Sequence, residues 1–120
     1  MLEVLPYTWS DVSVLQATTS SLRADLATVR ELASALSGAR FGLVNLARAS
    51  GWSGPVATVH RAQLTDLTRQ VQASTDLLAK AATVLVKQIG EQEILIRQRQ
   101  AALMRQDAAT AAVSAATRRA

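Results

Sequence analysis

The sequence predicts an all-α protein, an antiparallel two-helix hairpin. In two long segments, apolar residues recur at alternating steps of three and four, the spacing of one face of a helix. One compact interruption, Gly-Trp-Ser-Gly-Pro at residues 51–55, separates these segments. Aromatic residues are only 3% of the 120-residue chain while Ala, Leu and Val dominate, which suits closely packed helices better than a β-sandwich. A chain of this length is expected to form one domain.

Helix one is predicted over about residues 11–50. Ser10 or Thr8 is the candidate N-cap, and Asp11 stands three residues after Thr8, the spacing of a capping box. Five residues at every seventh position define the main apolar seam: Leu15, Leu22, Val29, Leu36 and Leu43. The seam also includes Val12, Leu26, Ala33 and Ala47, with Thr19 and Arg40 as polar interruptions.

Two glycines weaken helix one near its end. Gly38 and Gly42 each disfavour helix by about 1 kcal/mol relative to Ala, so they indicate either a close contact or a kink. A continuous but weakened helix is the favoured interpretation. The alternative is a helix that stops near Ser37, followed by a short helix over residues 40–50.

The turn is predicted at residues 51–54 and helix two at about 55–106. Gly51 can adopt the left-handed conformation that ends helix one, and Pro55 suits the first position of helix two. Trp52 is expected to wedge between the helix ends, and Gly54, which has no Cβ, would let helix two start close beneath it.

The seam of helix two is predicted to change phase. It begins as Ala57, His60, Leu64, Leu67, Val71, Ser74, Leu78, Ala81 and Leu85. It then shifts to Ala82, Ile89, Ile96 and Leu103, which would be a stutter in the heptad, and Gly90 is a possible bend. Residues 1–106 thus form the hairpin. Residues 107–120 have almost nothing to bury and are expected to be frayed or disordered.

The apolar surface exceeds what one hairpin can cover. Apolar residues outside the two seams are Leu32, Leu46, Val56, Val59, Leu77, Val84, Val86, Ile94 and Leu95. Pairing with a second hairpin into a four-helix bundle would bury them. The residues predicted to form the hairpin and partner interface are Leu15, Leu22, Leu26, Val29, Leu36, Leu43, Leu64, Leu67, Val71, Leu78 and Leu85. A homodimer and a heterodimer would both satisfy this pattern.

The residue inventory does not favour an enzyme. The chain has no cysteine, and His60, its one histidine, lies on the predicted seam, where a partly buried structural role is favoured over that of a catalytic base. No cluster has metal-ligand spacing and no glycine-rich phosphate loop occurs, so no cofactor is expected.

Charge and hydropathy bear on partners. The net charge of +4 comes from basic residues scattered along the sequence among nine acids, so nucleic-acid binding is not favoured. The sequence has no run of about 18 uncharged apolar residues and no basic region followed by an apolar core at its N-terminus. Neither a transmembrane helix nor a cleavable signal peptide is therefore expected.

Trp52 and Gly54, between two long amphipathic segments and followed by Pro55, Val56 and Ala57, carry a family resemblance. Over about residues 10–100 the chain resembles the Trp-X-Gly family, the early secreted antigen-like proteins handled by type VII secretion systems. The resemblance implies a dimer of antiparallel hairpins, often a heterodimer, that folds in the cytoplasm and is exported without a cleaved signal peptide to the cell surface or the medium.

The chain departs from this family in one respect. Members commonly carry Tyr-X-X-X-Asp or Glu just after helix two, and this signal is missing here. A match at residues 7–11, at the opposite end of the chain, is interpreted as coincidence. Either a partner supplies the signal, or the tail uses another one, or the protein is not exported.

Three hypotheses follow. The leading one is a secreted substrate, or a partner chaperone for substrates, of a type VII secretion system. The second is a cytoplasmic coiled-coil adaptor with no role in export. The third, a peripheral membrane binder that uses its apolar arms and C-terminal arginines, is less favoured because residues 91–120 carry only a small positive excess.

Overall fold

The computed structural model describes residues 4–49 and 54–119, without the side chains of Ala47 and Ala49. In this part of the chain there are two α-helices, α1 (Trp9–Ala49) and α2 (Pro55–Arg119), and no strand. The predicted all-α hairpin is confirmed. Trp52 and Gly51 lie outside the described residues, so their predicted roles in the turn stay predictions.

The helices contribute to two compact units. Unit 1 comprises residues 1–23 and 87–120, and unit 2 comprises residues 24–86. Each unit therefore contains a segment of α1 and a segment of α2, which pack side by side in opposite directions.

A capping box begins α1. The Thr8 backbone N–H donates to Asp11 Oδ2 at 2.8 Å, and the Asp11 N–H donates to Thr8 Oγ1 at 3.4 Å. The Val12 N–H donates to the Thr8 carbonyl at 3.2 Å, which closes the first helical turn. Thr8 is thus the N-cap, and α1 starts two residues earlier than predicted.

Gly38 and Gly42 do not interrupt α1. The helix continues through both to Ala49, so the favoured interpretation is confirmed and a break near Ser37 is wrong. A Cβ atom built at either glycine would meet nothing within 4 Å. Neither glycine therefore marks a close contact within the chain.

α2 begins at Pro55, directly after Gly54, as the sequence predicts. Gly54 has a φ of +92°, and its carbonyl accepts hydrogen bonds from the backbone N–H and the hydroxyl of Thr58, both at 3.2 Å. A Cβ at Gly54 would meet nothing within 4 Å. Glycine is therefore needed here for its backbone conformation, not for the close approach that we expected.

The C-terminal segment differs from its prediction. α2 continues through Gly90 and past residue 106 to Arg119, where we expected a frayed or disordered tail. The side chains of residues 110–119 are nonetheless exposed, as expected for a segment with little to bury. Intrinsic propensity accounts for this helix, since six of residues 107–116 are alanine.

The seam of α1 is where the sequence places it. Buried and partly buried side chains follow steps of three and four along the helix, with Arg40 exposed. They are Val12, Leu15, Thr19, Leu22, Leu26, Val29, Ala33, Leu36 and Leu43.

The seam of α2 keeps one phase, so the predicted stutter is wrong. Ala57 is buried as predicted, but His60, Leu67 and Ser74 are exposed. From Leu64 onward the steps alternate between four and three without a break. The seam residues are Leu64, Thr68, Val71, Thr75, Leu78, Ala82, Leu85, Ile89, Gln92, Ile96, Arg99, Leu103 and Gln106.

Unit 1 contains the cluster of buried apolar residues. Val12, Ile96 and Leu103 are at most 9% exposed. Leu5, Tyr7 and Leu15 pack against these three residues. The cluster therefore joins the first turns of α1 and the chain before it to residues 96–103 of α2.

Polar contacts surround this cluster. The Arg99 guanidinium lies 4.7 Å from the centre of the Tyr7 ring, a cation–π distance. Trp9 Nε1 donates to Asp107 Oδ2 at 3.0 Å. Arg23 and Glu93 form an ion pair on the partly exposed flank. These contacts tie both ends of the α1 segment of unit 1 to α2.

A buried polar pair lies within the seam of unit 1. Thr19 is 1% exposed, and its Oγ1 lies 2.8 Å from the Leu15 carbonyl oxygen and 2.9 Å from Gln92 Oε1. A hydroxyl has one proton, so it donates to one of these acceptors at a time. Polar pairs at seam positions specify the register of paired helices at a cost in stability.

We expect Gly38→Ala and Gly42→Ala each to raise the free energy of unfolding by about 1 kcal/mol, because both sites are helical and open. Gly54→Ala should lower it by more than about 1 kcal/mol, because its φ is positive. Urea unfolding at one fixed protein concentration would measure all three. Equal effects at residues 42 and 54 would contradict this account of the glycines.

Thr19→Val should lower the free energy of unfolding by about 1–2 kcal/mol, because it leaves the partly buried Gln92 amide without this partner. The double variant Thr19→Val/Gln92→Leu should recover most of this loss. A double-mutant cycle in urea gives the coupling energy. A coupling indistinguishable from zero would show that the pair contributes nothing to the seam.

Candidate interaction surface

The paired helices of unit 2 have two different sides. We label the seven positions of the heptad repeat a to g, with the seam residues at a and d; Thr68 is an a position and Leu64 is a d position. On the helix surface, the e positions then lie on the side of the seam next to a, and the g positions lie on the side next to d. On one side, Leu46 from α1 and His60, Gln63, Leu64 and Leu67 from α2 line a shared groove. Leu46, His60 and Leu67 occupy g positions, so this is the g side of both helices.

The opposite side is lined by e and b positions. There a second groove is formed by Val44 and Arg48 from α1 and by Leu64, Thr65, Thr68 and Arg69 from α2. The two grooves share only Leu64, which lies on the seam between them. The e and g sides of unit 2 therefore present separate surfaces.

Between residues 28 and 84 the g side carries no formal charge, and Asp25, at the preceding g position of α1, lies just before this stretch. We call it the uncharged face and define it by the g and c positions of unit 2 from residue 28 onward. Its residues are Thr28, Leu32, Ala35, Ala39, Gly42 and Leu46 of α1, and Val56, His60, Gln63, Leu67, Gln70, Ser74, Leu77, Ala81 and Val84 of α2.

Large apolar side chains on this face are open to solvent. Val56 and Leu77 are 70% and 65% exposed. Leu32, Leu46, Leu67 and Val84 are between 45% and 55% exposed. Contiguous apolar surface of this kind is characteristic of protein interfaces, since isolated soluble domains seldom expose it.

The arginines of unit 2 concentrate on the other side. Arg30 is at an e position, Arg40 and Arg61 are at a positions beside it, and Arg48 and Arg69 are at b positions. The sequence distributes these arginines over 40 residues and two helices. For that reason, these arginines are scattered in the sequence, and their common side emerges only when the two helices pair.

Most predicted interface residues lie on the seam. Leu67 is the exception, because it lies on the uncharged face. The others are buried or partly buried: Leu15, Leu22, Leu26, Val29, Leu36, Leu43, Leu64, Val71, Leu78 and Leu85. The seam thus holds the hairpin together, and the surface left for a partner consists of different residues.

The apolar residues that the sequence places outside the two seams lie on several surfaces. Five of them, Leu32, Leu46, Val56, Leu77 and Val84, lie on the uncharged face. Val59, Val86 and Ile94 are exposed elsewhere, and Leu95 is partly buried. Phe41, which is not among the predicted residues, is 70% exposed.

The prediction that His60 is partly buried on the seam is wrong. Its side chain is exposed and borders the groove of the uncharged face together with Leu46 and Leu67. The error has the same origin as the stutter, since the predicted seam followed the g positions of α2 between residues 60 and 81.

Among the described residues, no group of three or more His, Cys, Asp or Glu residues is placed to hold a metal ion. Neither α1 nor α2 has, over its described residues, the length and hydropathy required to span a bilayer.

Comparison with protein-family models, curated proteins and solved structures finds no match to this chain. The functional interpretation therefore depends on the surface itself. Its two salient properties are the exposed apolar side chains of the uncharged face and the absence of formal charge among them.

Proposed function

We propose that this protein acts by association with a second helical hairpin, which covers the uncharged face and completes a four-helix bundle. The observation that carries this proposal is the run of g and c positions in unit 2, from residue 28 to residue 84, without a formal charge. On a helix that is permanently exposed, charged residues normally occupy such positions.

The width of the apolar surface favours a bundle over an isolated pair. Two helices that pack only with each other need apolar residues at a and d, whereas helices of a four-helix bundle need a third position as well. In unit 2, five g positions supply it: Leu32, Leu46 and Leu67 are the large members, and Ala39 and Ala81 are the small ones. The same side of both helices exposes large apolar side chains, as a hairpin docking face to face requires.

The finer proposal concerns export. We propose that the protein is a substrate of a type VII secretion system, or a partner chaperone for its substrates. The sequence Trp-Ser-Gly at residues 52–54, directly before a helix that starts at Pro55, supports this proposal, as does the hairpin of two long helices.

The partner has a specific role under this proposal. Residues 107–119 are helical and contain no tyrosine, so they do not themselves carry the Tyr-X-X-X-Asp or Glu signal common in the Trp-X-Gly family. A hairpin partner bound to the uncharged face would supply that signal and carry this chain with it. A coiled-coil adaptor would use the same face but would stay inside the cell.

Leu77→Lys should abolish association, because it places an unpaired charge within the proposed interface. Val86→Lys is the matched control, since Val86 is 48% exposed at an e position on the other side of α2. We expect the dissociation constant of the complex to rise at least about 100-fold for Leu77→Lys and to change less than about threefold for Val86→Lys. Sedimentation equilibrium of the chain, alone and with its hairpin partner, measures both.

Two results would contradict association through the uncharged face. One is a wild-type chain that stays at its monomer mass of 12.8 kDa with every hairpin partner tested. The other is equal weakening by the two lysine substitutions. Flotation with anionic vesicles, abolished by Leu77→Lys, would support the membrane alternative instead.

Export makes a separate prediction. In a bacterium with a type VII secretion system, epitope-tagged protein should appear in the culture medium when the hairpin partner is co-expressed. Inactivation of the system's ATPase should abolish this, and so should Leu77→Lys, while Val86→Lys should have no effect. Retention of the wild-type complex in the cytoplasm would leave the adaptor as the correct class.

A further inference from the structure

The arginine-rich side of unit 2 contains a groove that association through the uncharged face leaves unused. Arg48 of α1 and Arg69 of α2 line it together. Two cations from different helices thus flank one groove. Its apolar part is formed by Val44 and Leu64.

The groove offers donors for an anion and a surface for an aliphatic side chain. Guanidinium groups bind carboxylates through two parallel N–H···O hydrogen bonds. The two threonine hydroxyls donate within α2, Thr65 to the Arg61 carbonyl at 2.9 Å and Thr68 to the Leu64 carbonyl at 2.7 Å. The arginines are therefore the groups that would bind the anionic part of a ligand.

Acidic residues of the chain compete weakly for these arginines. Arg69 Nη1 lies 3.9 Å from Asp66 Oδ1, and the two side chains are 78% and 72% exposed. A long, solvent-exposed pair of this kind contributes little. Asp76 accepts a hydrogen bond from Gln72 Nε2 at 2.8 Å. A ligand carboxylate would consequently displace little at Arg69.

Two further arginines extend the positive charge. Arg40 precedes Arg48 by about two helical turns, and Arg61 precedes Arg69 by the same interval. Because the helices run in opposite directions, Arg40 lies nearer the level of Arg69, and Arg61 nearer the level of Arg48. The groove is therefore positively charged along about two turns of each helix.

We propose that this groove binds an acidic peptide segment of a partner protein, with carboxylates on Arg48 and Arg69 and an aliphatic side chain on Val44 and Leu64. The apolar floor favours a peptide over the phosphate backbone of a nucleic acid, which offers no aliphatic side chain. Unit 2 holds six Lys and Arg residues against four Asp and Glu residues, a net charge of only +2. Nucleic-acid affinity depends on many phosphate contacts, and this charge is small for that purpose.

The probe is a fluorescein-labelled ten-residue peptide, Glu-Glu-Leu-Leu-Glu-Glu-Leu-Leu-Glu-Glu, and the measurement is fluorescence anisotropy with the full chain. Arg48→Gln/Arg69→Gln should weaken peptide binding at least about tenfold. Arg118→Gln/Arg119→Gln removes the same charge from the exposed end of α2 and should change binding less than about twofold. The Gln-for-Glu peptide should bind the wild-type chain weakly.

Several outcomes would overturn the proposal. They are an undetectable affinity of the wild-type chain for the acidic peptide, equal losses in the two double variants, and equal binding of the Gln peptide. Tighter binding of an oligothymidine or of anionic vesicles than of the peptide, lost in Arg48→Gln/Arg69→Gln, would assign the groove to another ligand class. Helicity by circular dichroism and sedimentation should be unchanged in both variants, which separates this result from a failure of association through the uncharged face.

Discussion

Two paired helices can bury only one stripe of side chains each, and this geometric limit governs the rest of the structure. Seven residues of the described chain are buried, and five of them are in unit 1. Unit 2 buries only Leu26 and Ala57. With so small an interior, apolar residues outside the seam remain in water unless another protein covers them. The uncharged face is the consequence of this limit in a chain that carries more apolar side chains than its seam can accept.

The flanks of the seam then determine which partners each side can accept. On the g side, the absence of charge lets a docked helix exclude water without burying an unpaired ion, a burial that would be costly. On the e side, arginines keep their charged ends in solvent beside apolar stems and grooves. One side is therefore suited to close packing over a large area and the other to the binding of an anionic group. Because the two sides lie on opposite flanks, occupation of one does not block the other.

Sequence periodicity predicted α1 better than α2 for a physical reason. In α1 the large apolar residues that recur at every seventh position, from Leu15 to Leu43, all lie on the seam, so their spacing fixes the buried stripe. In α2 the seam includes Thr68 and Thr75, while the apolar Leu67 lies one position outside it. Packing against α1 decides which of these neighbouring positions is buried, and the spacing of apolar residues along α2 does not show it. The groove at Arg48 was missed for the same reason, since its second arginine belongs to the other helix.

Polar residues on the seam connect the stability of the hairpin to its association. The seam of α2 includes Gln92, Arg99 and Gln106 at positions where an isolated coiled coil would carry leucine. These polar residues reduce the apolar area that folding buries. A shifted pairing of the helices is disfavoured, however, because Gln92 would lose its hydrogen bond with Thr19. A hairpin with a precise register and a modest interior gains stability from any partner that binds only the folded form, in proportion to the partner's concentration and affinity. If a hairpin partner covers the uncharged face as proposed, its binding and the folding of this chain are linked equilibria.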